Sequence, residues 1–172
     1  MIQIQTRISP PIAEGPIEHL LACHRRIENR LDILERAGQH LEDQPNESLL
    51  AISNSLRFMD TSGVLHTVDE EESLFPRLRS SLTPEEVAYL DGLESQHRDV
   101  DAVYASLKET VFHLQQERTP ELIDMYRKCV AKLTAAYRTH IASEDSILVE
   151  MGRRILSPAE LAAIHNEMRA RR

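Results

Sequence analysis

Apolar residues recur every three or four positions along most of this chain. From Ile17 they run through Leu20, Ile27, Leu31 and Leu34, and from Leu49 through Ile52, Leu56 and Met59. A third series holds Val87, Leu90, Leu93, Val100, Tyr104, Leu107, Val111 and Leu114; a fourth holds Tyr126, Val130, Leu133, Tyr137, Ile147 and Met151. Steps of three and four fall on one face of an α-helix, so each series predicts an amphipathic helix. The first helix is expected to start at Gly15-Pro16 and end around Leu41. The second runs from about Glu47 to about Leu78, after a turn at Asp43-Gln44-Pro45-Asn46 in which Asn46 can cap, with a distortion at Pro76. Thr83-Pro84-Glu85-Glu86 opens the third with a capping box, and Thr119-Pro120-Glu121 opens the fourth, which reaches Met151 with Gly152 as C-cap. Ser157-Pro158-Ala159-Glu160 starts a short fifth helix bearing Leu161, Ile164 and Met168.

Four long helices with short connections predict an all-α, antiparallel up-and-down four-helix bundle with a short C-terminal fifth helix. Residues 1–15, with two prolines and a short alternating run, are expected to form an extended arm, and residues 16–172 one bundle domain. Five glycines in 172 residues fit an all-α protein. The net charge of −8 argues against a nucleic-acid partner. No apolar run is long enough to span a bilayer, and the first residues lack a signal-peptide core, so a cytoplasmic monomer or homodimer without a membrane partner is expected. Cys23 and Cys129 stand in no metal or redox spacing.

Polar residues interrupt the apolar stripes at six places. His66 and Glu70 continue the stripe of the second helix, His140 and Glu144 that of the fourth, and His24 and His97 lie on those of the first and third. A glutamate on a buried face needs compensation, because desolvating its charge costs several kcal/mol, and a metal ion is the strongest candidate to supply it. The bundle's turns bring these residues together. His24 and His66 lie about 20 residues on either side of Pro45, His97 and His140 about 20 on either side of Arg118-Thr119, and Glu70 and His97 about 13 on either side of Thr83-Pro84. All six therefore reach one level of the bundle. Two facing His-x-x-x-Glu pairs imply two metal ions bridged by carboxylates; the ligand types suit iron, manganese or zinc, with nitrogen-rich ligation fitting iron best. Six side chains leave coordination positions open to a small ligand.

The order His…His-x-x-x-Glu…His…His-x-x-x-Glu, with HTVDEEESLFPRL in the second helix and CHRRIENRLDIL in the first, resembles a hemerythrin-like HHE cation-binding domain over roughly residues 16–151. The resemblance implies a non-haem di-iron centre. Its ligands would be His24, His66, Glu70, His97, His140 and Glu144, with both glutamates bridging and an oxo or hydroxo group between the irons. Oxygen-carrying members have a further histidine one turn before the third-helix ligand; here that residue is Leu93. The chain is thus similar to the four-histidine, two-glutamate branch, which includes proteins implicated in repairing iron centres under nitrosative or oxidative stress. The expected function is binding or sensing of dioxygen, nitric oxide or peroxide. The alternative is an oxidoreductase or an iron donor to damaged iron-sulfur and di-iron centres. No acid or base stands apart from the metal shell, which favours binding over dedicated catalysis.

Several other residues carry weaker expectations. Glu28 and Asp101 also follow a histidine by four, but the stripes there advance through Ile27 and Val100, turning both acids to the flank, with Glu28 pairing with an arginine such as Arg25. His19, His40, His113 and His165 lie off the stripes and are expected in solvent. Asp69, Glu71, Glu72 and Asp145 form an expected solvated acidic rim, some of them orienting imidazoles. Tyr104 and Tyr137 read as core residues, Gly63 as a close-packing position, and Cys23 as facing sideways beside His24.

Overall fold

The structure is a computed structural model that describes residues 15–172; the predicted arm therefore lies, except for Gly15, outside the described residues. Helix α1 (Pro16–Gln39) begins with proline at its first position, where the missing N–H is no loss. Helix α2 spans 45–79 and starts two residues earlier than expected. Pro45 takes the first helical position behind Gln44, and Asn46 is inside the helix rather than its cap. Helix α3 (Pro84–Gln116) opens with the predicted capping box between Thr83 and Glu86, and α4 (Pro120–Ile155) with the Thr119 hydroxyl accepting from the Leu122 N–H. Helix α5 (Pro158–Ala170) has a second capping box, between Ser157 and Glu160.

Two places depart from the sequence reading. Helix α4 does not stop at Gly152 but runs through it to Ile155; Gly152 is buried, and a Cβ there would meet the Ile17 side chain of α1. Glycine serves close packing at this position, not termination. Helix α2 is not uniformly α-helical. Met59–Gly63 and Asp69–Leu74 are π-helical turns, one before His66 and one containing Glu70. In the first, the Thr61 hydroxyl donates to the Arg57 and Phe58 carbonyls at 2.8 and 3.3 Å, a back-bond that competes with the backbone ladder. The second ends just before Pro76, whose ring crowds the preceding turn and cannot donate to it; the expected distortion lies on the N-terminal side of the proline.

Helix α1 packs against α2 and α4, α3 packs against α4, and α5 folds back onto α1 and the second π turn of α2. Two apolar clusters fill the bundle. One contains Ile27, Leu31, Leu34, Ile52, Met59, Val100, Leu107, Tyr126, Leu133 and Ile141. The other contains Leu20, Leu74, Phe75, Leu78, Leu90, Leu93, Met151, Ile164 and Met168. Tyr126 is fully buried and donates its hydroxyl to the Leu34 carbonyl at 3.0 Å; Tyr104, a core residue as expected, donates to the Leu56 carbonyl and to Asp60. No helix among the described residues is long and apolar enough to cross a membrane. Between the two clusters lies a buried polar layer.

Candidate metal centre

On every helix of the bundle the chain passes from one apolar cluster to the other through a buried histidine or glutamate: Leu20, His24 and Ile27 on α1, Leu93, His97 and Val100 on α3. On α2 the passage runs from Met59 through His66 and Glu70 to Leu74, and on α4 from Ile141, next to His140, through Glu144 to Met151. All six side chains are buried, and both glutamates are completely so. The bundle brings them to one point. His66 Nε2 lies 3.0 Å from Glu70 Oε1, with His97 Nε2 3.4 Å from the other oxygen of Glu70; His24 Nε2 and His140 Nε2 each lie 3.1 Å from Glu144 Oε2. Two groups of four potential ligand atoms result, His24–His66–Glu70–Glu144 and Glu70–His97–His140–Glu144, each with its atoms within 4.8 Å of one another. Both groups share both glutamates. Glu28 is half-buried and Asp101 exposed, and neither belongs to either group. The expected Glu28–Arg25 ion pair is absent among the described residues.

A cation explains this chemistry better than the side chains explain one another. Both oxygens of Glu70, both of Glu144, and His24 Nε2 are buried without a hydrogen-bond partner, although nitrogens stand close by. Such orphaned groups cost their full desolvation, and a buried carboxylate several kcal/mol, unless a cation takes the place of water. The outward nitrogens, by contrast, are held. His24 Nδ1 meets Asp145 at 2.5 Å, His97 Nδ1 meets Glu71 at 2.7 Å, and His140 Nδ1 meets Gln96 at 3.1 Å. A carboxylate or amide on the outer nitrogen fixes the imidazole's orientation and turns the inner nitrogen toward the cluster. The sequence carries a signal for this: Glu71 and Asp145 each directly follow a glutamate of the cluster, and each reaches the histidine of a neighbouring helix. Gln96, next to His97, had no such signal. His66 Nδ1 alone is buried without a partner.

Residues 15–151 match the hemerythrin HHE cation binding domain. The chain belongs to this family. The match covers the four-helix bundle as far as Met151, one turn before the end of α4, and stops short of α5. No curated protein sequence matches the chain. A hemerythrin HHE domain binds cations, and that much of the function is established for this chain.

The charge state of this hemerythrin centre follows from its burial. For His24, burial works against the proton, but the carboxylates of Glu144 and Glu70 outweigh it and push the pKa up to about 11. His97 is likewise opposed by burial and raised to about 9 by Glu70 and Glu71. Burial holds His66 down. Glu70 and Glu144 stay below their usual range, burial notwithstanding, because of the imidazoles around them. Without metal, two imidazolium ions thus take the cation's place. The signs predict opposite pH dependences. Raised histidine pKa values stabilise the metal-free fold fully below about 6.5, and that stabilisation is lost as pH rises through about 9 and then about 11. Lowered glutamate values contribute above about 4.5 and are lost on acidification below it. Metal affinity runs the other way, since ligation displaces the protons. The lowered values at His66 and His19 act in the same sense as the glutamates, adding stability as pH rises toward about 6.5. Melting temperatures of metal-free protein should therefore peak near about pH 6.5 and fall above it, while metal affinity measured in parallel continues to rise. A metal-free melting temperature rising from pH 6.5 to 9 would contradict this charge assignment.

Some expectations for the surroundings need correcting. His19 is buried, not solvated; burial, Arg172 and Arg26 hold its pKa down to about 4, so it is neutral. His40 and His113 are exposed as expected, and His165 is half-buried. Asp69 is fully buried between Arg171 and Arg172 and is no part of a solvated rim, although Glu72 is exposed. A Cβ on Gly63 would touch only Met59 of its own helix, so close interhelical packing does not explain that glycine. Cys23 is buried, with its sulfur accepting from Arg26 at 2.8 Å. Tyr137 lines a cavity of about 10 Å³ together with His66, Thr67, His97, Asp101, His140, Ile27, Val100 and Ile141. Such a cavity has room for about one water molecule.

Proposed function

We propose that this chain is a non-haem di-iron protein whose centre binds or senses a small ligand: dioxygen, nitric oxide or peroxide. The carrying observation is that two four-atom clusters share Glu70 and Glu144 and leave all four carboxylate oxygens without another partner. His24 and His66 would hold one ion and His97 and His140 the other, with both glutamates common to the two. When bound, the irons would supply redox-active Lewis-acid positions for the small ligand. The protein's own part is steric and electrostatic. Asp145, Glu71 and Gln96 fix three imidazoles, and Phe75 lies parallel to the His97 ring at 6.3 Å between centroids. The adjoining cavity, where Ile27, Val100 and Ile141 meet Thr67, Asp101, Tyr137 and three imidazoles, is small, which suits a ligand of two or three atoms rather than an organic substrate. Nitrogen-rich ligation favours iron over manganese, and zinc remains the alternative that elemental analysis distinguishes.

Protein expressed with iron available should contain close to two irons per chain and show near-ultraviolet charge-transfer absorption. That absorption should change on addition of nitric oxide or azide and return when the ligand is removed. One zinc per chain and no iron would defeat the di-iron reading. Sustained turnover of peroxide or nitric oxide would replace the binding function with that of an oxidoreductase, and iron release to an apo iron-sulfur protein would assign repair.

A further inference from the structure

Asp69 is the acid next to Glu70, it is completely buried, and it does not take part in the metal cluster. Its partners come from beyond α5. Arg171 Nη1 donates to one oxygen at 2.9 Å and Arg172 Nη2 to the other at 2.5 Å, and both guanidinium groups are themselves largely covered. Arg171 also reaches Glu72, and Arg77 of α2 grips Glu167 of α5 through two hydrogen bonds of 2.7 and 3.1 Å. Ile164 and Met168, fully buried, seat the same helix against Leu74, Phe75 and Leu78. Two consecutive carboxylates in one π turn are thus buried on different sides, Glu70 toward the imidazoles and Asp69 toward the arginines. Adjacent positions in a helical turn point to different sides, and the outer one is buried here because α5 covers it.

We propose that Asp69 is a positioning residue for Glu70, and that Arg171 and Arg172 form a latch by which the C-terminal segment sets the geometry of the metal centre. The inference rests on the two-metal reading above and goes beyond the matched domain, which ends at Met151 while the latch lies at residues 171 and 172. With both arginines in place, the backbone at Asp69 is fixed by a pair of charge-assisted hydrogen bonds, and Glu70 enters the cluster from an anchored peptide. Without them, a completely buried carboxylate is left without a cation. The second π turn then has to reopen to hydrate it, carrying Glu70 out of register. Coupling of this kind is reciprocal: metal binding at Glu70 must also hold α5 in place.

The test is cobalt(II) titration of metal-free protein, read by its d–d absorption, together with amide hydrogen exchange over residues 158–170. Arg171→Gln/Arg172→Gln should weaken cobalt binding about 10-fold, the lower end of what losing a direct partner of a ligand costs because the arginines act through Asp69, and change the d–d spectrum. Adding Asp69→Asn to that variant should recover most of the affinity, because a neutral amide no longer requires a cation. Cobalt should slow exchange in α5 of the wild type but not of the double variant. Unchanged affinity and spectrum in the double variant overturn the proposal. So does a triple variant as weak as the double, which would assign the loss to α5 packing rather than to charge. A wild-type chain that takes up one cobalt refutes the two-metal reading; the same variant comparison still decides the latch, since Glu70 belongs to both clusters. If the double variant does not fold, Arg171→Gln, which leaves Arg172 on Asp69, carries the comparison.

Discussion

Glu70→Ala and Glu144→Ala are each expected to lose at least one metal ion per chain together with the charge-transfer absorption, while Glu28→Ala and Asp101→Ala keep both. All four acids stand four residues after a histidine, so spacing does not separate them. Burial and contact do. Glu70 stands within 3.0 to 3.7 Å of His24, His66 and His97, and Glu144 within 3.1 Å of His24 and His140, so each glutamate serves both clusters. Removing either would leave both proposed ion positions short of a ligand and leave buried imidazolium without a counter-charge in the metal-free state. Glu28 and Asp101 lie outside the clusters, and their loss should change stability by at most about 1 kcal/mol, as for other acids near the surface. Metal content and melting temperature of the four variants decide the matter. If Glu28→Ala empties the centre and Glu70→Ala does not, the ligand assignment is wrong.

Leu93→His should produce a protein whose stability depends on metal. Leu93 is buried in the second apolar cluster, one turn before His97. In metal-free protein the exchange removes leucine packing, worth about 2 kcal/mol or more, and buries an imidazole without a designed partner, which costs a further ~1–3 kcal/mol. The new ring stands on the same face as His97 and one turn away, within reach of the ion that His97 and His140 would hold. Loading with iron should therefore recover much of the lost stability, alter the charge-transfer spectrum and slow ligand exchange at that ion. A folded, fully loaded variant with an unchanged spectrum would show that position 93 does not face the centre.

The helices and the meeting of four histidines with two glutamates were legible because both depend on local periodicity and on the symmetry of short turns. His24 and His66 mirror each other across Pro45 whatever the details of packing. Asp69 was misread for the opposite reason. Its burial depends on Arg171 and Arg172, about a hundred residues away and outside the bundle, and no stripe on α2 predicts a partner at that distance. His19 was misplaced by the same blind spot, since α5 covers a face of α1 that a four-helix plan leaves in water. The π turns escaped because each shifts the helical phase by a residue, so a stripe counted through them drifts while its polar landmarks stay inward. Gly152 resembles a terminator in sequence, and only the approach of Ile17 reveals its use.

The division of the core into two apolar clusters bears on how this bundle holds together. In an ordinary domain one continuous core transmits a disturbance at either end to the whole, and that continuity makes unfolding all-or-none. Here side-chain contact between the halves is interrupted by a slab of imidazoles and carboxylates, and without metal only the helix backbones and a set of opposed charges join them. Ions seated in the slab, gripped by all four helices at once, would act as a keystone. Cooperativity in this protein is then a property of the loaded centre as much as of its hydrophobic residues, and local opening of one end becomes a route by which metal comes and goes.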